Sequence, residues 1–86
     1  MTGEELFVHE RIVLSPVTGR FEVDADDLDP ANPGVLVLAG SPLGGVVGSG
    51  RTTVVTTPFT GVLAGLLAHH GERVREGQPI AWLRVA

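Results

Sequence analysis

Neither cysteine nor lysine occurs in this sequence of 86 residues. The missing cysteine excludes a disulfide framework, a thiolate metal site and a cysteine nucleophile. The missing lysine leaves six arginines (Arg11, Arg20, Arg51, Arg73, Arg75 and Arg84) as the whole basic complement, so the one primary amine in the sequence is the α-amine of Met1. No apolar run approaches the ~18 residues of a membrane helix. The opening residues Met1-Thr2-Gly3-Glu4-Glu5 are acidic, unlike a signal peptide, so a cytoplasmic protein without membrane contact is expected. A net charge of −4 gives no reason to expect a nucleic-acid partner.

Hydrophobic residues make up 43% of the chain and charged residues 19%, too apolar and too sparsely charged for a disordered protein. The length allows one small domain with one modest core. Charge is unevenly spread. Residues 1–30 hold eight acids against Arg11 and Arg20, a balance of −6, whereas residues 31–86 hold Glu72 and Glu76 against four arginines, a balance of +2. An acidic face is therefore expected on one side.

Twelve glycines and six prolines cut the apolar residues into short runs. Ile12–Leu14, Phe21–Val23, Val35–Leu38, Leu43–Val47, Thr52–Thr57, Val62–Ala68 and Ile80–Val85 each border turn residues, a spacing that predicts seven or eight short strands and an all-β domain. Val62–Ala68 is the one stretch with helical potential, but it is too short and Gly65 weakens it. The sequence also repeats itself. Pro16-Val17-Thr18-Gly19 matches Pro58-Phe59-Thr60-Gly61, offset by 42 residues. Gly34-x-x-Val37-x-x-Gly40-x-Pro42-Leu43 matches Gly71-x-x-Val74-x-x-Gly77-x-Pro79-Ile80, offset by 37. The five-residue difference falls in the aspartate-rich stretch 24–33, which reads as a solvated loop. Two copies of one β unit (about 11–47 and 52–86), joined by a hairpin at 48–51 and preceded by a tail at 1–10, predict two sheets related by a pseudo-twofold axis. Neither copy can bury its apolar face alone. A shared core of Val13, Phe21, Val37, Leu43, Val46, Val55, Leu63, Leu66, Val74, Ile80 and Trp82 is expected between them.

Three stretches carry a resemblance: Val37-Leu38-Ala39-Gly40-Ser41-Pro42-Leu43, Gly61-Val62-Leu63-Ala64-Gly65-Leu66 and Gly71-Glu72-Arg73-Val74-Arg75-Glu76-Gly77-Gln78-Pro79-Ile80. Across residues 11–86 the pattern resembles the biotinyl/lipoyl carrier domains, such as biotin carboxyl carrier proteins. The resemblance implies a flattened β-barrel, or barrel-sandwich hybrid, of two four-stranded sheets. It also implies an attachment lysine at the tip of the hairpin joining the halves, commonly within Ala-Met-Lys-Met. Here the window is Gly48-Ser49-Gly50-Arg51 and the lysine position falls on Gly50. Biotin and lipoate are held by an amide to a lysine amine. Glycine offers none, and the neighbouring Arg51 carries a guanidinium, which is no substitute for a primary amine. No cofactor is therefore expected.

Arg51 in the tip is a candidate for binding a carboxylate or phosphate, against the plainer reading of 48–51 as an ordinary glycine-rich turn. His69 and His70 are the side chains suited to proton transfer near neutrality, but neighbours on a strand face opposite ways and a surface turn is the simpler reading. His9 lies in the expected tail, with no metal-ligand spacing. Asp26 and Asp27 belong to the acidic loop, which lacks the glycine and distal glutamate of an EF-hand and is a candidate for contacting a basic partner. Ser15 and Ser49 have no histidine or acid at triad spacing. Val47 and Leu67 stand where the resemblance implies outward polar residues, and are candidates for a partner or self-association surface against the ordinary exposure of single apolar residues. Three functions remain open: a non-carrier accessory subunit for carboxylase- or acyltransferase-type enzymes; a repurposed small-molecule binder or small enzyme in a biosynthetic pathway; and a structural oligomerisation module.

Overall fold

The computed structural model describes residues 9–23 and 34–85, and within them every regular element is a strand. In chain order these are β1 (His9–Leu14), β2 (Gly19–Val23), β3 (Leu36–Val37), β4 (Pro42–Gly48), β5 (Arg51–Thr56), β6 (Gly61–Leu66), β7 (Arg73–Val74) and β8 (Pro79–Val85). They form two four-stranded antiparallel sheets, ordered β1-β8-β6-β3 and β5-β4-β2-β7. Exchanging β1 with β5, β2 with β6, β3 with β7 and β4 with β8 turns one order into the other. This is the flattened barrel-sandwich architecture with its pseudo-twofold axis. The halves interlock, since each sheet takes two strands from each half of the chain.

The symmetry reaches individual residues. Val13 and Val55, Phe21 and Leu63, Val37 and Val74, Leu43 and Ile80, and Val46 and Leu83 occupy matching places, and all are buried between the sheets. Turn bonds repeat as well. Ser15 N–H donates to Gln78 O (2.8 Å) and Gly77 N–H to Ser15 O (2.8 Å); Thr57 N–H donates to Ser41 O (3.0 Å) and Gly40 N–H to Thr57 O (2.7 Å). The two buried hydroxyls cap the turns they open, Ser15 Oγ donating to Val17 O (2.6 Å) and Thr57 Oγ1 to Phe59 O (2.8 Å).

The structure departs from the expected layout in two places. His9 and Glu10, within the expected tail, are strand residues paired with Val85 and Arg84. Trp82, expected in the core, lies half-buried on the outer face, and Leu66 is likewise half-buried at the core's margin. The cause for Trp82 is a register shift. Val13 pairs with Ala81 but Leu14 pairs with Pro79, so Ile80 is an extra residue in β8. Ile80 and Ala81 are then both buried, and the alternation restarts with Leu83 inward and Trp82 outward. Its symmetry mate Leu43 is the extra residue of β4, between the pairs Pro42 with Thr56 and Gly44 with Val55.

Candidate functional site

The hairpin between β4 and β5 is closed by the pair Gly48 and Arg51, leaving Ser49 and Gly50 as a two-residue turn. Both turn residues have positive φ, 53° and 72°, the requirement of the primed turns that match strand twist. The base of the hairpin is pressed against Thr18, since a Cβ at Gly48 would meet Thr18 O at 2.8 Å. At the tip the opposite holds, since a Cβ at Gly50 would meet nothing within 4 Å. Position 50 thus faces open space. It carries no amine, and the tip does not fit a group held through one. A shallow hollow of about 280 Å³ lies beside the turn, lined by Val17, Thr18, Gly48, Ser49, Arg51 and Thr53. Arg51 is exposed there and forms no ion pair among the described residues. The hollow is suited to a single contact with an acidic group and too open to enclose a ligand.

His69 and His70 do not join this site. They occupy the exposed turn before β7, where His69 N–H donates to Glu72 Oε1 (2.9 Å) and His70 Nδ1 accepts from Val23 N–H (3.1 Å). His70 therefore ties its turn to the end of β2. No cluster of three metal-binding side chains occurs among the described residues. The Ser15 hydroxyl is buried and committed to Val17 O, so it is no nucleophile. Val47 is half-buried on the outer face of the β5-β4-β2-β7 sheet, opposite Arg20 and Thr52. Leu67 is exposed just past the end of β6, a strand of the other sheet. Asp26 and Asp27 lie outside the described residues.

A further surface escapes sequence reasoning. On the outer face of the β1-β8-β6-β3 sheet, Ile12 pairs with Trp82, Gly65 pairs with Trp82, and Leu36 pairs with Val62. Ile12 is 45% and Leu36 63% exposed. The Arg84 guanidinium lies 5.6 Å from the indole centroid, with Glu10 3.9 Å from its Nε. The matching positions on the opposite sheet are smaller or charged: Val54 for Ile12, Gly45 for Trp82, Arg20 for Val62 and Arg73 for Leu36. The signal was present in Ile12–Leu14 and Val35–Leu38, which are apolar at every position and so supply both faces of their strands.

No family model and no curated protein matches the chain. Solved structures do. The urea carboxylase of Kluyveromyces lactis superposes with a TM-score of 0.72 at 23% identity, over 87% of this chain and 6% of that chain. A single-chain, multi-domain long-chain acyl-CoA carboxylase superposes at 0.73 and 18% identity, over 90% of this chain and 7% of that one. The ectoine utilization protein EutE (DoeB) of Ruegeria pomeroyi superposes at 0.64 and 20% identity, over 87% and 22%. The chain thus corresponds to a small fraction of each of these proteins, and what it shares with them is the fold. The fold serves proteins of different chemistry, so it does not fix a function. No helix among the described residues is long and apolar enough to cross a membrane.

Proposed function

We propose that this chain is a carrier-like domain without a carrier's attachment residue, acting as an accessory or interaction subunit for carboxylase- or acyltransferase-type enzymes. One observation carries the reading: a fold shared with parts of two carboxylases presents, at its hairpin tip, Ser49-Gly50 in a sequence with no lysine. Such a domain keeps a docking surface while having nowhere to fasten biotin or lipoate. The apolar face around Trp82 and the Arg51 hollow are the surfaces available for recognition.

Two measurements test this. The intact mass of the native protein is expected to match the bare polypeptide, and a biotinyl or lipoyl adduct overturns the non-carrier reading. Affinity capture of the tagged chain from its own host is expected to recover a carboxylase or acyltransferase, and recovery of neither overturns the accessory role. A second reading follows from the likeness to the ectoine utilization protein EutE: in it the partner is an ectoine-utilization protein in place of a carboxylase or acyltransferase, and the same capture distinguishes the two.

A further inference from the structure

The β5-β4-β2-β7 sheet ends on one side in β5, a six-residue strand whose outer backbone edge pairs with no other strand among the described residues. Sheet edges of this length usually carry charge, proline or a covering segment, because their free N–H and C=O groups recruit other strands. The symmetry mate β1 obeys that rule with His9, Glu10 and Arg11. The remaining edges, β3 and β7, are two residues long. In β5, by contrast, everything after Arg51 is uncharged and β-branched: Thr52, Thr53, Val54, Val55 and Thr56.

The closing pair of the turn fixes which backbone groups are free. Gly48 and Arg51 face each other, so alternation directs Thr53 and Val55 toward β4 and leaves the N–H and C=O of Thr52, Val54 and Thr56 pointing away. The bond from Thr57 N–H to Ser41 O continues the inward series. Val54 is also short of company on its own sheet. It is 59% exposed and pairs with Gly45, which has no side chain, so a shallow hollow opens beside it; its mate Ile12 instead has Trp82 alongside.

We propose that this edge is a self-association surface, two copies pairing β5 to β5 antiparallel about a twofold axis to give one continuous eight-stranded sheet. The occupant is a second copy because the strand complements itself. With Val54 opposite Val54 of the second copy, Thr52 falls opposite Thr56, and all the free groups meet in about six N–H···O bonds. Val54 gains the apolar cross-strand partner that Gly45 denies it, and the threonines form pairs that favour sheet contacts. Arg51 falls opposite Thr57, so no like charges oppose each other, and the acidic excess of the chain lies in residues 1–30 rather than in β5. The inference is independent of the identity of any enzyme partner.

Sedimentation of the full chain across a concentration series, with amide exchange at both ends of the series, tests it. The expected result is a reversible rise to twice the 9.0 kDa monomer. Val54→Pro removes an N–H that the fold itself does not use, and is expected to weaken association at least about tenfold. Ile12→Pro, the matched change in β1, is expected to leave it unaltered. The amides of Thr52, Val54 and Thr56, but not that of Ile12, are expected to exchange more slowly in the concentrated sample, a readout that stands even where a proline variant fails to fold. A monomer at millimolar concentration, a dimer indifferent to Val54→Pro, open-ended assemblies, or slowed exchange confined to β1 each overturns the proposal.

Discussion

Gly50 separates what the hairpin needs from what a carrier needs. Its φ of 72° suits a residue without a Cβ, while the space around it would admit a long side chain. Gly50→Lys is therefore expected to fold, at a cost of about 1–2 kcal/mol for placing a side chain in the left-handed region. In a domain of this size that lowers the melting temperature by roughly 4–16 °C, which thermal denaturation reads directly. A loss of folding would mean that the tip has contacts not visible in this geometry. Gly65 poses the opposite case. A Cβ there would meet Trp82 Nε1 at 2.7 Å, so Gly65→Ala is expected to push the indole off the sheet into water. Because Trp82 is the sole tryptophan, its emission is expected to shift to longer wavelength, with a stability loss near the lower end of about 1–3 kcal/mol. Unchanged emission would show that the ring yields without leaving the face.

At the scale of the elements, the two capped turns offer an internal comparison. Thr57 Oγ1 donates to Phe59 O and also accepts from Phe59 N–H at 3.1 Å, whereas Ser15 Oγ donates to Val17 O. Both hydroxyls are buried, so losing one strands its backbone partners. Thr57→Val is expected to cost about 2–3 kcal/mol and Ser15→Ala about 1–2 kcal/mol, read from denaturant midpoints at constant slope. Equal losses would show that the Phe59 N–H bond contributes nothing. These turns were legible in the sequence because Pro-x-Thr-Gly and the paired Gly-x-x-Val motifs fix local geometry, and the β-branched run in β5 announced its strand. The bulges at Leu43 and Ile80 were not legible. An extra residue leaves no mark in composition, yet it inverts the alternation downstream, which is why Trp82 reads as core and stands outside. The apolar face was half legible: with Val13, Val37 and Leu63 inward, alternation already turns Ile12, Leu36 and Val62 outward, but Trp82 joins them only through the bulge at Ile80. The missing amine is of a different kind: it is a property of composition and needs no register.

The whole molecule is held by an exchange of strands. β7 completes the sheet built on β2 and β4, and β3 completes the sheet built on β6 and β8, so neither half owns a finished sheet. Separated from its mate, residues 1–48 would keep the β2–β4 pairing but lose β5, β7 and the facing core residues Val55, Leu63, Val74, Ile80 and Leu83. Each of those buries roughly 1.5–3 kcal/mol of apolar side chain, and together they exceed the few kcal/mol by which a small domain is stable. Fragments 1–48 and 51–86 are therefore each expected to be unfolded alone and to regain the strand signal in circular dichroism when mixed. The intact chain is expected to unfold in one transition by every probe, since no sheet can open without undoing the other. A cooperative transition in either fragment alone would show that one half carries a self-sufficient core, and the pseudo-twofold would then describe two domains in contact rather than one core assembled from two incomplete halves.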